Sequence, residues 1–218
     1  MELLLILKNE ALKLVKKTRA WLGPILIFIL IMVAFPLTVE LTSNNLSDAF
    51  YPVLFISILL VMMLATEDIF LEDYEDGTLE LFFISEKSLS QWVFLKIFMH
   101  WLFIGVPISL LGAFFNIGAN NDLASSLMLF PALLVATYIF LILFCFGNSL
   151  SLTKGSVLGT LITLPLTLPI LVVLGKLNTA IIFNISYFEF LILLFGILSI
   201  IIFAFPAIIS RIIKTHLE

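Results

Sequence analysis

Six stretches of the 218-residue chain run for 18 residues or more with almost no charge. They are Leu22–Val39, Ala49–Thr66, Trp92–Phe115, Leu127–Leu150, Val157–Leu174 and Ile185–Ile209, and together they hold one lysine, one histidine and one glutamate. A bilayer core about 30 Å thick is crossed by roughly 20 apolar residues in helical form. The pattern predicts an all-α, polytopic membrane protein with six transmembrane helices. It excludes an ordinary soluble domain, because 62% of the residues are hydrophobic and only 12% charged, about half the charged share of a globular protein. A net charge of −4 offers no basic face to nucleic acid. Cys145 is the only cysteine, so no internal disulfide forms.

Orientation follows from lysine and arginine. With the N-terminus in the cytoplasm, the inner side receives Lys8, Lys13, Lys16, Lys17, Arg19, Lys87, Lys96, Lys154, Arg211 and Lys214, and the outer side receives Lys176 alone. This positive-inside bias places both termini in the cytoplasm. Residues 1–20 read as an amphipathic interfacial helix ahead of a transmembrane domain over 21–218. At 100° per residue, Leu3, Leu4, Leu7, Ala11, Leu14 and Val15 share one face, opposite the basic residues, as in helices that lie along anionic headgroups. A plain topology anchor is the alternative. The leucines precede the basic residues and no small-residue cleavage site follows, so a secretory signal is not expected.

Eight of the 15 acidic residues fall between Glu67 and Glu86, in the cytoplasmic loop over residues 67–91. Asp68, Glu72, Glu75 and Asp76 recur at near-helical spacing, which predicts that the second span continues past the membrane until Gly77 ends it. Leu79, Phe82 and Phe83 then give the i, i+3, i+4 pattern of a short amphipathic helix, and Ser88 with Gln91 reads as a capping box starting the third span at about Leu89. Carboxylates this dense repel one another unless a cation or a basic partner neutralises them. A solvated charge run is the bland alternative. The apolar edge favours docking of a protein partner on Glu67, Asp68, Glu72, Asp73, Tyr74, Glu75, Asp76, Gly77, Leu79, Glu80, Phe82 and Phe83. Reversing Asp73, Glu75 and Asp76 to lysine is then expected to detach the partner without unfolding the spans. The acids lack the ligand spacing of a calcium loop, and no metal site is expected.

The chain resembles the cytochrome c maturation protein B family, the membrane subunit of a haem-exporter ABC complex. The resemblance rests on Phe35-Pro36-Leu37, on the loop core Glu72-Asp73-Tyr74-Glu75-Asp76-Gly77-Thr78-Leu79-Glu80, on His100-Trp101 and Gly105-Val106-Pro107, and on Leu164-Pro165-Leu166-Thr167-Leu168-Pro169. It implies an ABC-2-type-exporter-like permease that works with a cytoplasmic ABC ATPase subunit (CcmA-like). It also implies membrane haem-handling subunits (CcmC- and CcmD-like) and, through the complex, a periplasmic haem chaperone (CcmE-like). ATP hydrolysis would be linked to haem delivery and release of the loaded chaperone. Haem is the ligand such a complex handles, ATP binds the partner subunit, and no cofactor is expected to reside in this chain. Consistent with this, the chain has no G-x-x-x-x-G-K-[ST] phosphate loop, so catalysis of its own is not expected. Six spans make half of a typical exporter pore, which by analogy suggests a homodimer.

Inside the membrane, ionisable residues are functional candidates by default. His100 could ligate haem iron, although with Trp101 beside it a hydrogen-bonded packing role is the simpler expectation. Glu189, near the outer end of the sixth span, is read as reaching the interface, with a translocation role as the alternative. Pro165 and Pro169 kink span five, and Gly159, Thr163 and Thr167 form a small-residue face for another helix, in a dimer or within the bundle. Trp21, Trp92 and Tyr51 read as interfacial anchors. The setting expected is the bacterial inner membrane, ahead of the mitochondrial one. The rivals are a permease for lipid or drug, which calls for a wide polar cavity between spans two and five, and a non-transporting scaffold.

Overall fold

The computed structural model describes residues 2–38, 43–84, 88–120, 122–153, 156–183 and 185–217. The outer-loop start at 39–42 and the residues Glu86, Lys87 and Lys154 lie outside the described residues, as do the side chains of Leu3, Leu4 and Phe83. Within them the chain is all-helical and contains no strand. The order is α1 (Glu2–Lys16), α2 (Thr18–Thr38), α3 (Ser43–Ala65), α4 (Leu71–Glu75), α5 (Thr78–Ile84), α6 (Leu89–His100), a π-helical turn (Trp101–Gly105), α7 (Val106–Asn120), α8 (Leu123–Leu150), α9 (Ser156–Ile182) and α10 (Tyr187–Leu217).

Among the described residues five helices are long and apolar enough to cross a membrane: Thr18–Thr38, Leu89–Ala119, Leu123–Leu150, Leu158–Ile182 and Tyr187–Leu217. The second expected span corresponds to α3, whose apolar part, Ala49–Ala65, is shorter. The helix at the centre is α8. Its most apolar window is 72% buried, against 22–33% in the other four, and it packs on α3, α6, α7, α9 and α10. The remaining helices leave broad apolar faces outward, as helices facing lipid do.

Helix contacts in lipid depend on close approach rather than on hydrophobic exclusion, which favours small residues. Gly147 on α8 meets Gly159 on α9 backbone to backbone: a Cβ at Gly147 would stand 2.5 Å from the Gly159 carbonyl oxygen. Thr163 and Thr167, one and two turns further along α9, are fully buried and return their hydroxyls to the helix itself, Thr163 Oγ1 to Thr160 O at 3.0 Å and Thr167 Oγ1 to Leu164 O at 2.7 Å. The small-residue face thus packs inside the bundle, while Pro165 and Pro169 face outward.

The span Leu89–Ala119 is one helix with a π turn inside it. The Val106 N–H reaches back to Trp101 O, an i→i−5 bond. Pro107, which has no N–H to give, follows the π turn directly, where the hydrogen-bond register is already shifted. The indole of Trp101 occupies the space opened there, its Nε1 donating to Leu134 O and Thr137 Oγ1 on α8, each at 3.2 Å. Any side chain at Gly105 would collide with that ring.

The expected continuation of the second span past the membrane does not occur. α3 stops at Ala65, and residues 66–70 tighten into i→i−3 turns before α4 begins. Thr66 turns its hydroxyl back on Met62 and Met63, and its carbonyl takes the side-chain amide of Asn148 from α8. Both compete with helix propagation. Gly77 does separate α4 from α5, at φ +75°, the left-handed region where glycine is unstrained, and Ser88 accepts from the Gln91 N–H ahead of α6, the Ser88 half of the expected capping box.

Replacing Gly147 or Gly159 by alanine is expected to cost about 1–3 kcal/mol, read as a lower thermal unfolding midpoint of the purified chain in detergent. Gly175→Ala, where a Cβ meets nothing within 4 Å, is the control expected to leave the midpoint in place.

Candidate functional site

The site lies where α1, the α4–α5 elbow and α6 meet, and each element brings one face to it. On α6, Trp92, Lys96 and His100 stand at i, i+4 and i+8 and so share a side. On α1, Glu10 and Lys13 stand at i and i+3, flanking the buried Leu14, and Lys17 follows directly after the helix. α4 supplies Glu72 and Asp73. Lys96 is buried, as are Asp73 and Glu10.

Asp73 uses both carboxylate oxygens. Oδ1 accepts from Lys13 Nζ of α1 at 2.9 Å, and Oδ2 pairs with Lys96 Nζ of α6. Glu10 Oε2 lies 3.9 Å from the same Lys96 ammonium, and Lys17 pairs with Glu72 at the exposed edge. Lys96 also sits over the Trp92 ring, 5.0 Å from its centre, a cation–π contact. Trp92 in turn packs against Phe70 and Phe82, with ring centres 6.3 and 5.3 Å away. Trp92 is therefore buried at 1% exposure rather than an interfacial anchor, and Tyr51 is buried as well. Trp21 is half-buried against Phe103.

This geometry divides the expected docking residues. Asp73 and Leu79 are buried and Phe82 is half-buried on Trp92, so they hold the elbow together and are not offered to a partner. Glu67, Asp68, Glu72, Glu75, Asp76 and Glu80 are exposed, Tyr74 and Gly77 are half-buried, and Phe83 lies in α5. Leu81, which the sequence reading passed over, is an exposed apolar residue of α5, at 69%. The lysine reversal of Asp73, Glu75 and Asp76 would break an internal ion pair along with any surface contact. Lys96 and Glu10 were also missed. Their signal was a lone cation in an apolar span, one turn from Trp92 and His100, and an acid among the lysines in the second half of a basic helix.

Charge shifts outside the membrane follow the same layout. Burial works against the Lys13 ammonium, but the hydrogen bond and charge of Asp73, with Glu10 and Asp76, outweigh it and hold it above the ordinary 10.5. Asp68 is pushed up by burial and then by Glu67, Glu72 and Glu75. Asp76 is held down, chiefly by its hydrogen bond from Thr78.

Beside the ion pairs lies a half-open pocket of about 780 Å³, lined by the α1–α2 junction, the end of α3, the carboxylates Glu67, Asp68 and Glu72, and Lys96 and His100. His100 is buried, with Nδ1 2.9 Å from Lys96 O. Glu189 is exposed in the first turn of α10, where a carboxylate suits the helix dipole. It is distant in sequence from every element of this site. Among the described residues no group of three or more His, Cys, Asp or Glu could hold a metal ion.

Truncating one partner of a buried ion pair leaves the other charge stranded, at a cost of about 3–5 kcal/mol. Asp73→Ala is expected to lose that much stability in detergent unfolding, and Asp73→Leu with Lys96→Met to recover most of it. Glu72→Ala, which removes a half-exposed pair, is expected to cost about 0–1 kcal/mol. Because Lys13 titrates above its unfolded value, its contribution is complete below pH 10.5 and is lost as pH rises through the folded value. A fluorescence distance between α1 and α6 is expected to hold through neutral pH and lengthen only in that alkaline range.

The sequence matches the CcmB protein family over residues 1–212. It is 29% identical over 170 residues to heme exporter protein B of Pseudomonas aeruginosa, covering 77% of this chain and 76% of that one. To heme exporter protein B of Haemophilus influenzae it is 28% identical over 184 residues, covering 84% and 83%. A putative cytochrome c biogenesis ccmB-like mitochondrial protein of Marchantia polymorpha is 26% identical over 198 residues, 88% of this chain and 66% of that protein. A chain matched along nearly its whole length in this way belongs to the CcmB protein family.

Proposed function

We propose that this chain is the membrane subunit of an ATP-driven haem-export assembly in the bacterial inner membrane, coupling a soluble ATPase subunit to helix movement. The observation that carries the proposal is the buried Lys96. It ties the exposed acidic elbow directly to a membrane span through Asp73 and to the N-terminal helix through Glu10. A load applied to α4 cannot move that helix alone, because Asp73 takes α1 and α6 with it.

In this reading α3 crosses the membrane as well, giving six spans with both termini and the elbow in the cytoplasm, where ten of the 11 basic residues lie. The ATPase subunit docks on the remaining surface of the elbow. Glu67, Asp68, Glu75, Asp76 and Glu80 supply negative charge and Leu81 an apolar contact. Two copies of the chain form the permease, beside haem-handling membrane subunits that serve a periplasmic haem chaperone. The polar cavity that a lipid or drug permease calls for between spans two and five is not what separates α3 from α9. That groove, of about 500 Å³, is walled mainly by Pro52, Phe55, Ile56, Leu171 and Ile182, with Asn178 and Tyr51 as its polar residues.

Two outcomes are expected. Cells lacking the gene lose covalent haem on periplasmic cytochromes, seen by peroxidase-stained gel, and regain it on complementation; normal staining without the gene would overturn the haem reading. Glu75→Lys with Glu80→Lys, which spares Asp73 and the Asp76 cap of α5, abolishes co-purification of the ATPase subunit while the purified chain keeps its unfolding midpoint. Undiminished co-purification would move the docking surface elsewhere.

A further inference from the structure

We infer that the groove between α3 and α9 is the seat of a phospholipid with an aminoethyl headgroup, held by one acyl chain and by the side-chain amide of Asn178. The inference stands apart from the haem reading and concerns a resident lipid, not a transported one.

The first argument is an amide left without a partner. Asn178 is 9% exposed and lines the groove. The other buried asparagines each bridge to a neighbouring segment, Asn116 to Ser126 and Asn148 to Thr66. Asn178 has no such bond among the described residues, and its Oδ1 is buried without a donor. An acceptor in that state is costly to leave unmade. Tyr51, the other polar residue of the groove, is already engaged by Asn116, so the demand for a donor comes from Asn178.

The second argument is shape. A volume of about 500 Å³ falls inside the range of about 300–1,000 Å³ typical of small-molecule sites. Leu171, Gly175, Asn178 and Ile182 form its α9 wall, one face of the helix. The rise from Leu171 to Ile182 is about 16 Å, the depth of one leaflet of a hydrocarbon core about 30 Å thick. Phe55 and Ile56 of α3 stand opposite. A Cβ at Gly175 meets nothing within 4 Å, so the middle of the groove is open. Ile56 and Ile182 on its rim are exposed, which gives an acyl chain an apolar entry from the bilayer.

The third argument selects the headgroup. Asn178 lies one turn before the end of α9, and Tyr51 two residues into the apolar part of α3. The six-span reading runs these helices in opposite directions, which brings both polar residues to the same membrane surface. No charged residue lines the groove, Lys176 included, and this suits a headgroup of zero net charge. A protonated aminoethyl group balances its own phosphate and has N–H donors for Oδ1, as a lysine ammonium does. A choline headgroup is also neutral but has no N–H. A glycerol headgroup has hydroxyl donors but leaves its phosphate charge without a cation.

The test is native mass spectrometry of the purified full-length chain, delipidated in detergent. It is offered phosphatidylethanolamine, phosphatidylcholine and phosphatidylglycerol of identical acyl chains in equal amounts. The wild type is expected to retain one phosphatidylethanolamine, preferred about five- to tenfold over either competitor. Asn178→Leu is expected to erase the preference while still taking a lipid, and Gly175→Leu, which fills the open middle, to lose the retained lipid. In nanodiscs, phosphatidylethanolamine is expected to raise the unfolding midpoint of the wild type above its value in phosphatidylcholine, and to leave that of Gly175→Leu unmoved. This second readout keeps the assignment testable if Asn178→Leu does not fold. Equal retention of the three lipids by the wild type, or an unchanged preference in both variants, would overturn the site. So would a lipid-free dimer that separates in Gly175→Leu, which would give the groove to a second copy of the chain. None of these outcomes bears on haem staining in cells, so the site and the export role stand or fall separately.

Discussion

A charge that is taken out of water is tolerated only where its partners are already in place, and the buried ammonium of Lys96 sets that condition for this fold. Asp73 must come up from the elbow and Glu10 must come in from α1, or the lysine is stranded beside a span of otherwise apolar residues. Meeting the condition fixes several other things. α1 must dock with its acid and its Leu14 inward, α4 must lie across the base of α6, and Trp92 must close the underside of the ammonium, which in turn seats Phe70 and Phe82. A hydrophobic cluster of the same volume could be equally stable. What the ionic version adds is direction: both oxygens of Asp73 are engaged, by lysines from two different helices, so α4 has one register against α1 and α6 rather than several.

Within the membrane the packing follows a different rule. Lipid tails are as apolar as the side chains, so helices are held by shape, and the tightest point is the glycine contact of α8 with α9. The π turn serves the same end on the other side of α8. It admits the Trp101 ring against α8, lets that ring reach Leu134 O and Thr137 Oγ1, and requires glycine at 105. Tryptophan and glycine four residues apart, with proline at 107, are parts of one device.

How much of this was legible depends on the range of the interaction. Gly77 as a helix stop and Ser88 as a helix start are local signals, and both appear in place. The apolar segments and their helical state follow from composition and length. The pairing of Asp73 with Lys96 and Lys13 was not legible, because these partners are 23 and 60 residues from it and nothing in a loop sequence says which carboxylate is internal. For the same reason the break between α3 and α4 was missed: the amide that takes the Thr66 carbonyl belongs to Asn148, 82 residues on. The face of Gly159, Thr163 and Thr167 was visible, but whether it meets α8 or a second chain is settled only by where Gly147 lies. His100 stood out as an intramembrane histidine. Its hydrogen bond and the pocket it lines depend on the Lys96 carbonyl and on α2 and α3, which only the folded chain brings together.

The span Leu89–Ala119 thus has two anchorages of unlike kind along one helix. At Trp101 it is held to the central helix α8 by hydrogen bonds inside the membrane, and at Lys96 it is held to the elbow by charge. His100 lies between them, adjoining the first and one turn from the second. A displacement of the elbow would reach Lys96 through Asp73, whereas α8, the most enclosed element of the bundle, resists moving with it. The difference has to be absorbed in the segment between, and the π turn, whose hydrogen bonds have already left the regular α register, begins at its upper end. The wall of the pocket that bears His100 is therefore the part of the membrane domain where work done on the acidic surface would be felt first.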